Sequence, residues 1–119
     1  MSSGVVRGGD VPVNEQAWGS LQWLVGGERD QGCGMTFGRV TFKPGESNPG
    51  HHHPNCDEIL FVVQGKVEHS LPAGGSAVLE PGDCIVIPRD GVHNARNVGD
   101  GEAVVVVAFN ASDRKTIGE

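Results

Sequence analysis

The chain has 119 residues, a length that fits one domain with one hydrophobic core. Its net charge of −6 at pH 7 argues against binding to a nucleic-acid backbone or to an anionic membrane surface. No apolar run approaches the roughly 18 residues of a membrane-spanning helix. The sequence therefore predicts a soluble globular protein that binds neither nucleic acid nor membrane.

The cysteine count bears on the cellular compartment. Cys33, Cys56 and Cys84 make an odd number, and residues 1–10 lack the apolar core of a secretion signal. Both features fit a reducing compartment better than a disulfide framework, so we predict a cytoplasmic protein. Cys56 is interpreted as a small packed residue rather than a reactive thiolate, and Cys84 as part of the core.

Nineteen glycines, seven prolines and many valines favour short strands joined by tight turns. Residues 1–15 form either a flexible arm or an outer strand, and residues 111–119 either a helical turn or a frayed end. Strands are predicted, in chain order, at 18–25, 35–43, 58–64, 66–71, 77–79, 84–88, 91–97 and 103–109. About eight strands without a helix are typical of a sandwich or small barrel, here an all-β domain over residues 16–110.

Strand parity assigns faces to several side chains. The continuous apolar run 59–63 predicts a strand that is buried on both faces. Val40 and Phe42 favour the core, which turns Arg39 outward rather than toward an anionic substrate. Trp18 and Trp23 are five residues apart, so at most one of them is expected to line a pocket.

A histidine-rich segment contains the residues that are best suited to bind a metal ion. If residues 51–53 are extended, His51 and His53 share one face and His52 points away. Paired imidazoles on one face suit Zn, Cu, Fe or Ni. Glu58 opens the apolar strand that follows, where a carboxylate is costly unless it is paired or bound to a metal.

A third histidine completes the candidate metal site. His93 follows a strand end and a tight turn, from which it could meet the first two histidines across a closed barrel. The predicted ligands are His51, His53, Glu58 and His93. In the alternative, only the three histidines bind the metal and Glu58 lies beside them. Two positions of an octahedral metal would stay free for water or substrate. His69 is predicted to be a surface residue, and Asn97 to support a turn.

These residues resemble the two signature motifs of the cupin superfamily. The first motif corresponds to Gly45, His51, His53, Glu58 and Gly65, and the second to Gly82, Pro88, His93 and Asn97. One position departs from the pattern, because Asp90 stands where the second motif has a glycine. The resemblance covers about half of the chain directly.

The resemblance implies a cupin-type jelly-roll β-barrel that holds one divalent transition metal ion, which is Fe, Mn, Ni, Zn, Co or Cu. In this family two histidines, a glutamate and a later histidine are the usual ligands. It also implies a homodimer, formed through an exposed sheet or an exchanged N-terminal strand.

Three classes of function follow from the resemblance. The preferred one is an enzyme that uses the metal as a Lewis acid on a small oxygen-rich substrate, as an isomerase, lyase or cyclase, with Glu58 or a metal-bound hydroxide moving the proton. The second is an O2-dependent dioxygenase. The third is a non-catalytic module that binds a sugar or metabolite.

Overall fold

The structure is a computed structural model that describes residues 4–29 and 32–118. The described residues form one short 3-10 turn, Gly8–Asp10, and eleven strands. The strands are β1 (Asn14–Gln16), β2 (Gly19–Val25), β3 (Thr36–Phe42), β4 (His51–His52), β5 (Glu58–Gln64), β6 (Val67–Ser70), β7 (Ser76–Leu79), β8 (Cys84–Ile87), β9 (Ala95–Asn97), β10 (Ala103–Phe109) and β11 (Ile117–Gly118). Across these residues, no helix has the length and apolar character to cross a membrane.

Antiparallel pairing organises the strands into three sheets. The large sheet has the order β1-β2-β3-β10-β5-β8, a second sheet the order β7-β6-β9, and β11 pairs with β4. One apolar core joins Phe42, Val62 and Val105 of the large sheet to Val67 and Ala95 of the second sheet. Packing of alternate residues from two sheets against each other confirms the predicted all-β barrel.

Three short strands, β1, β4 and β11, lie outside the eight predicted strands, although an outer strand was one of the two alternatives for residues 1–15. β1 pairs with β2 and makes residues 14–16 an outer strand, whereas residues 1–3 lie outside the described residues. β11 pairs with β4, so the expectation of a helical turn or a frayed end over 111–119 is wrong for residues 117–118. Strands of two or three residues carry too little periodicity to be recognised, and their partners hold them in place.

The prediction that β5 is buried on both faces is wrong. Leu60 and Val62 point into the core, whereas Ile59, Phe61 and Val63 are 49%, 41% and 50% exposed. No described residue covers the outer face of the large sheet at these positions. The run of apolar residues therefore reflects an apolar outer surface rather than a second core.

The positions predicted for three other residues can be compared with the structure in the same way. Arg39 points outward as predicted and donates a hydrogen bond from Nη1 to Oε1 of Gln22 over 3.1 Å. Cys56 is buried, as predicted. The assignment of Cys84 to the core is wrong, because it opens the edge strand β8 beside Phe61 and is exposed.

Candidate metal centre

Backbone pairing brings the two histidine segments together. His51 and His93 form an antiparallel bridge in which each N–H donates to the other carbonyl, over 3.0 and 2.8 Å. His53 follows β4, and Glu58 begins β5. One ligand atom from each of the four residues lies within 4.8 Å of all the others. The structure thus gathers the four predicted side chains around one point.

Each histidine of this cluster is oriented by a backbone carbonyl. Nδ1 of His51, His53 and His93 lies 2.9, 2.9 and 2.7 Å from the carbonyl oxygens of Pro49, Lys115 and Gly91. A carbonyl oxygen only accepts hydrogen bonds, so each Nδ1 carries the proton. The Nε2 atoms, with their lone pairs, are left to face the cluster, which is the arrangement that metal-binding imidazoles adopt.

Glu58 supplies the negative charge of the cluster. It is 5% exposed, and its Oε1 lies 3.0 Å from Nε2 of His93 and 3.3 Å from Nε2 of His53. Burial by itself would raise the pKa of Glu58, but the imidazoles of His53 and His93 beside its carboxylate outweigh burial and lower the pKa to about 2. A buried ionised carboxylate is stable only beside a cation.

The side chains fit a divalent transition metal. Nε2 of His53 is buried without a hydrogen-bond partner among the described residues. Such an orphaned lone pair, beside an ionised carboxylate, suits a cation. Bonds of about 2.1 Å to one ion separate opposite donors by roughly 4.2 Å, close to the spread seen here. Three imidazoles and a carboxylate match the ligands of Zn, Fe, Co, Ni, Cu and Mn sites.

A cavity of about 340 Å³ opens beside the cluster. Its walls are mostly apolar and come from β2, β3, β5 and β10, with Trp18, Leu21, Trp23, Val40, Phe42, Leu60, Val105, Val107 and Phe109 among the lining residues. An apolar pocket with a few converging polar groups is the usual form of a small-molecule site.

Both tryptophans line this cavity, so the prediction that at most one does is wrong. Trp18 precedes β2 and lies in the turn after β1, where strand parity does not apply. The pairing of β2 with β3 also shifts register after Trp23. The ring centroid of Trp18 lies 5.3 Å from that of Phe42, and that of Trp23 lies 6.1 Å from that of Phe109.

His69 is a cavity residue, and its prediction as a surface residue is wrong. It is 1% exposed and stacks on His93 with ring centroids 5.7 Å apart. Nδ1 donates to the carbonyl of Ser70 over 2.7 Å, and Nε2 has no described partner. Burial lowers the pKa of His69, so Nε2 is a free acceptor beside the cluster. The burial of His69 could have been predicted from strand alternation, because residues 67 and 69 share a face and Val67 is an apolar residue that is fully buried.

Three residues in or near the two motifs, His52, Asn97 and Asp90, lie outside the cluster. His52 is absent from the cluster, as its parity predicted. Asn97 is fully buried and donates from Nδ2 to the carbonyls of Phe42 and Gly101, which confirms its role in the turn. Asp90 adopts a φ of +66°, the left-handed conformation that the expected glycine would take more easily.

Arg114 also lines the cavity, and no feature of the sequence singled it out. Its guanidinium carbon lies 4.1 Å from the ring centroid of Trp23 and 5.2 Å from that of Phe109. Residues 111–118 contain no strand period or motif from which this position could be derived. Their place depends on pairing with residues that lie about 60 positions earlier in the chain.

Residues 38–109 match the sequence profile of the cupin domain. Germin-like protein 3-3 of Oryza sativa subsp. japonica is 36% identical over 120 residues, which cover 94% of this chain and 53% of that protein. Oxalate oxidase 1 of Hordeum vulgare is 40% identical over 87 residues, which cover 67% of this chain and 43% of that protein. This chain therefore spans about half the length of the curated relatives it matches.

A solved structure described as oxalate oxidase in complex with the substrate analogue glycolate is also similar. It is 38% identical and superposes with a TM-score of 0.66, over 71% of this chain and 46% of that chain. At this level of identity the likeness extends beyond the general shape of the barrel.

Proposed function

This chain belongs to the cupin superfamily, and on that premise we propose that it is a metal-dependent oxidase or dioxygenase that acts on a small carboxylic acid. The observation that carries the proposal is the convergence of His51, His53, Glu58 and His93 within 4.8 Å. The similarity to oxalate oxidases supports oxygen-dependent chemistry at that point.

The roles of the four residues follow from their orientation. The Nε2 atoms of the three histidines would hold the metal, and Glu58 would neutralise one of its positive charges. When bound, a redox-active ion such as Mn, Fe or Cu would supply a Lewis acid and a centre for electron transfer between a carboxylate and O2. Nε2 of His69 would supply a further acceptor beside the cluster, and the apolar walls would limit the access of bulk water.

Oxygen consumption tests the proposal directly. The chain is reconstituted separately with Mn, Fe, Co, Ni, Cu and Zn, and O2 uptake is recorded with oxalate, glycolate and larger carboxylic acids. Oxidation of oxalate breaks the C–C bond, releases two CO2 and transfers two electrons, with two protons, to O2 to give H2O2. Isotope-labelled O2 separates an oxidase, which leaves the label in peroxide, from a dioxygenase, which places it in product.

An isomerase, lyase or cyclase that uses the metal as a Lewis acid would need the same cluster but would not consume O2. Turnover that proceeds under nitrogen with zinc as the only metal would favour that class and contradict the oxidase proposal. Tight binding of a sugar or metabolite with no turnover under any metal would instead favour the non-catalytic module. The similarity of this chain to oxalate oxidases favours the oxygen-dependent class.

We also propose that the chain pairs as a homodimer through the outer face of its large sheet. Ile59 lies beside Val86 on one neighbouring strand and beside Ala108 on the other, and Ala108 in turn lies beside Phe37. A contiguous apolar patch of this kind is typical of an interface. Light scattering should give twice the mass of one chain, falling to one chain for Phe61→Lys. A monomeric native protein would rule the interface out.

A further inference from the structure

The cavity holds a cation that the metal cluster does not use. We propose that Arg114 binds the carboxylate of a substrate whose apolar body fills the cavity and whose metal-binding oxygens lie at the other end of the molecule. The inference names the substrate class of the site described under the proposed function and rests on that site holding a metal. It does not depend on the reaction being an oxidation.

The guanidinium of Arg114 is close to the cluster but separate from it. It stacks over Trp23 at 4.1 Å and over Phe109 at 5.2 Å. The ring of Phe109 in turn lies 4.9 Å from that of His53. Thr116 also links the two groups, because its Oγ1 accepts from Arg114 and lies 3.2 Å from Nδ1 of His53. His53 turns its opposite nitrogen, Nε2, toward the cluster. A ligand that reaches both the cation and the metal therefore carries its carboxylate apart from its metal-binding oxygens.

Arg114 has no acidic partner in residues 4–29 and 32–118. Its one hydrogen bond there runs from Nη1 to the hydroxyl of Thr116, although a guanidinium carries five N–H donors. Arg89, by contrast, is exposed and is paired with Asp57 over 3.3 Å. Burial lowers the pKa of Arg114, and the nearby negative charge of Glu58 opposes that effect. A half-buried guanidinium with free donors can bind the carboxylate of a ligand through two parallel hydrogen bonds.

The segment that carries Arg114 is fixed by hydrogen bonds on both sides. Nδ2 of Asn55 donates to the carbonyl of Asp113 over 3.1 Å, and the N–H of Lys115 donates to Oδ1 of Asn55 over 2.9 Å. The N–H of Gly27 donates to the carbonyl of Ser112. The backbone that carries Arg114 is thus held in place before a ligand arrives, which lowers the entropic cost of binding.

The size and lining of the cavity indicate the rest of the ligand. A volume of about 340 Å³ lies in the range of pockets that hold molecules much larger than a two-carbon acid. Its walls include the partly exposed side chains of Trp18, Leu21 and Trp23, whose burial against an apolar ligand body is favourable. A compact diacid would reach the metal but leave these walls and Arg114 without contacts.

Equilibrium binding to the zinc-loaded protein, without O2, tests this inference independently of turnover. The probes are 3,4-dihydroxyphenylacetate, whose adjacent hydroxyls chelate a metal, and 4-methylcatechol, which lacks the carboxylate. Calorimetry should show that the native protein prefers the acid by roughly tenfold to a hundredfold, the worth of a charged hydrogen bond. Tryptophan fluorescence should change on binding, because Trp23 lies beneath the guanidinium.

Arg114→Gln should bring the affinities of the two probes to within about twofold, and Arg114→Lys should keep part of the preference. Arg39→Gln is the matched control, since it removes the same charge from the outer face of the sheet, and it should keep the full preference. If Arg114→Gln does not fold, the amide 3,4-dihydroxyphenylacetamide removes the charge from the ligand instead and should lose the same affinity in the native protein.

An equal affinity of the native protein for the two probes, or an undiminished preference in Arg114→Gln, would overturn the inference. Either result is compatible with oxygen consumption on oxalate, which would leave the proposed function standing. The expected binding preference without oxygen consumption on any acid supports the inference and rejects the oxidase.

Discussion

Two adjoining regions of the chain line the same cavity. They differ in how far the sequence by itself predicts their positions. The histidine side consists of residues 51–58 together with His93, whose spacing follows a family pattern. The C-terminal segment, residues 111–118, follows no pattern and reaches the cavity by pairing with β4. The difference shows that metal ligands can be recognised from local spacing, whereas the residues that contact the rest of a ligand need not be.

His53 connects the two regions. Its Nε2 faces the cluster, while its Nδ1 donates to the carbonyl of Lys115 and lies 3.2 Å from Oγ1 of Thr116. The C-terminal segment therefore contributes both a cavity wall and the orientation of one imidazole. Four variants separate these contributions, from the largest expected effect to the smallest.

Removal of an imidazole should have the largest effect. His53→Ala is expected to lose metal and oxygen consumption together, because no other described donor stands at that position of the cluster. Metal content by elemental analysis should fall from about one ion per chain to less than a tenth of that. His52→Ala, one residue earlier and outside the cluster, should keep its metal. A full complement of metal in His53→Ala would show that the cluster is not the site.

Glu58→Gln tests the carboxylate while preserving its shape. Loss of the charge should weaken metal affinity by roughly 10–100-fold, the size of effect seen when groups around a metal are changed. Competition with a chelator measures this affinity. Glu80→Gln, an exposed glutamate near Lys66, is the control and should bind as the native protein does. An unchanged affinity in Glu58→Gln would favour a site with three histidine ligands alone.

Gly38→Ala tests the wall on which Arg114 stacks. A Cβ at position 38 would lie 2.5 Å from Cε3 of Trp23, so the indole must move. The free energy of unfolding, from urea titration, should fall by about 1–3 kcal/mol, with altered tryptophan fluorescence. Gly101→Ala, whose Cβ would meet no atom within 4 Å, should change stability by less than about 0.5 kcal/mol. Equal effects of the two variants would contradict the close packing of Trp23.

Asn55→Ala should have the smallest effect, because it loosens the C-terminal segment without touching the cluster. The two hydrogen bonds that it removes contribute about 1 kcal/mol each. Amide exchange at residues 113–118 should accelerate, and metal affinity should fall severalfold as His53 loses part of its support. Asn14→Ala on the outer strand β1 is the control. If exchange in the segment is unaffected, pairing with β4 alone holds it.

Much of the fold was predictable because it depends on period-two patterns and turns. β5 and β10 begin and end where the sequence predicted, and the other six predicted strands differ by a few residues at their ends. Burial was harder to predict. Exposed Phe61 and buried Val62 are adjacent members of one apolar run, and only the packing of the second sheet against one face distinguishes them.

By itself, the sequence determined which residues could form a metal cluster, since alternation within an extended segment places His51 and His53 together and excludes His52. Only the tertiary structure decided that His69 turns inward, that both tryptophans line the cavity and that Arg114 stacks beside them. The physical reason is that the alternation of His51 and His53 is a property of a few neighbouring bonds. The surroundings of a ligand depend instead on hydrogen bonds and packing between segments that lie far apart in the chain.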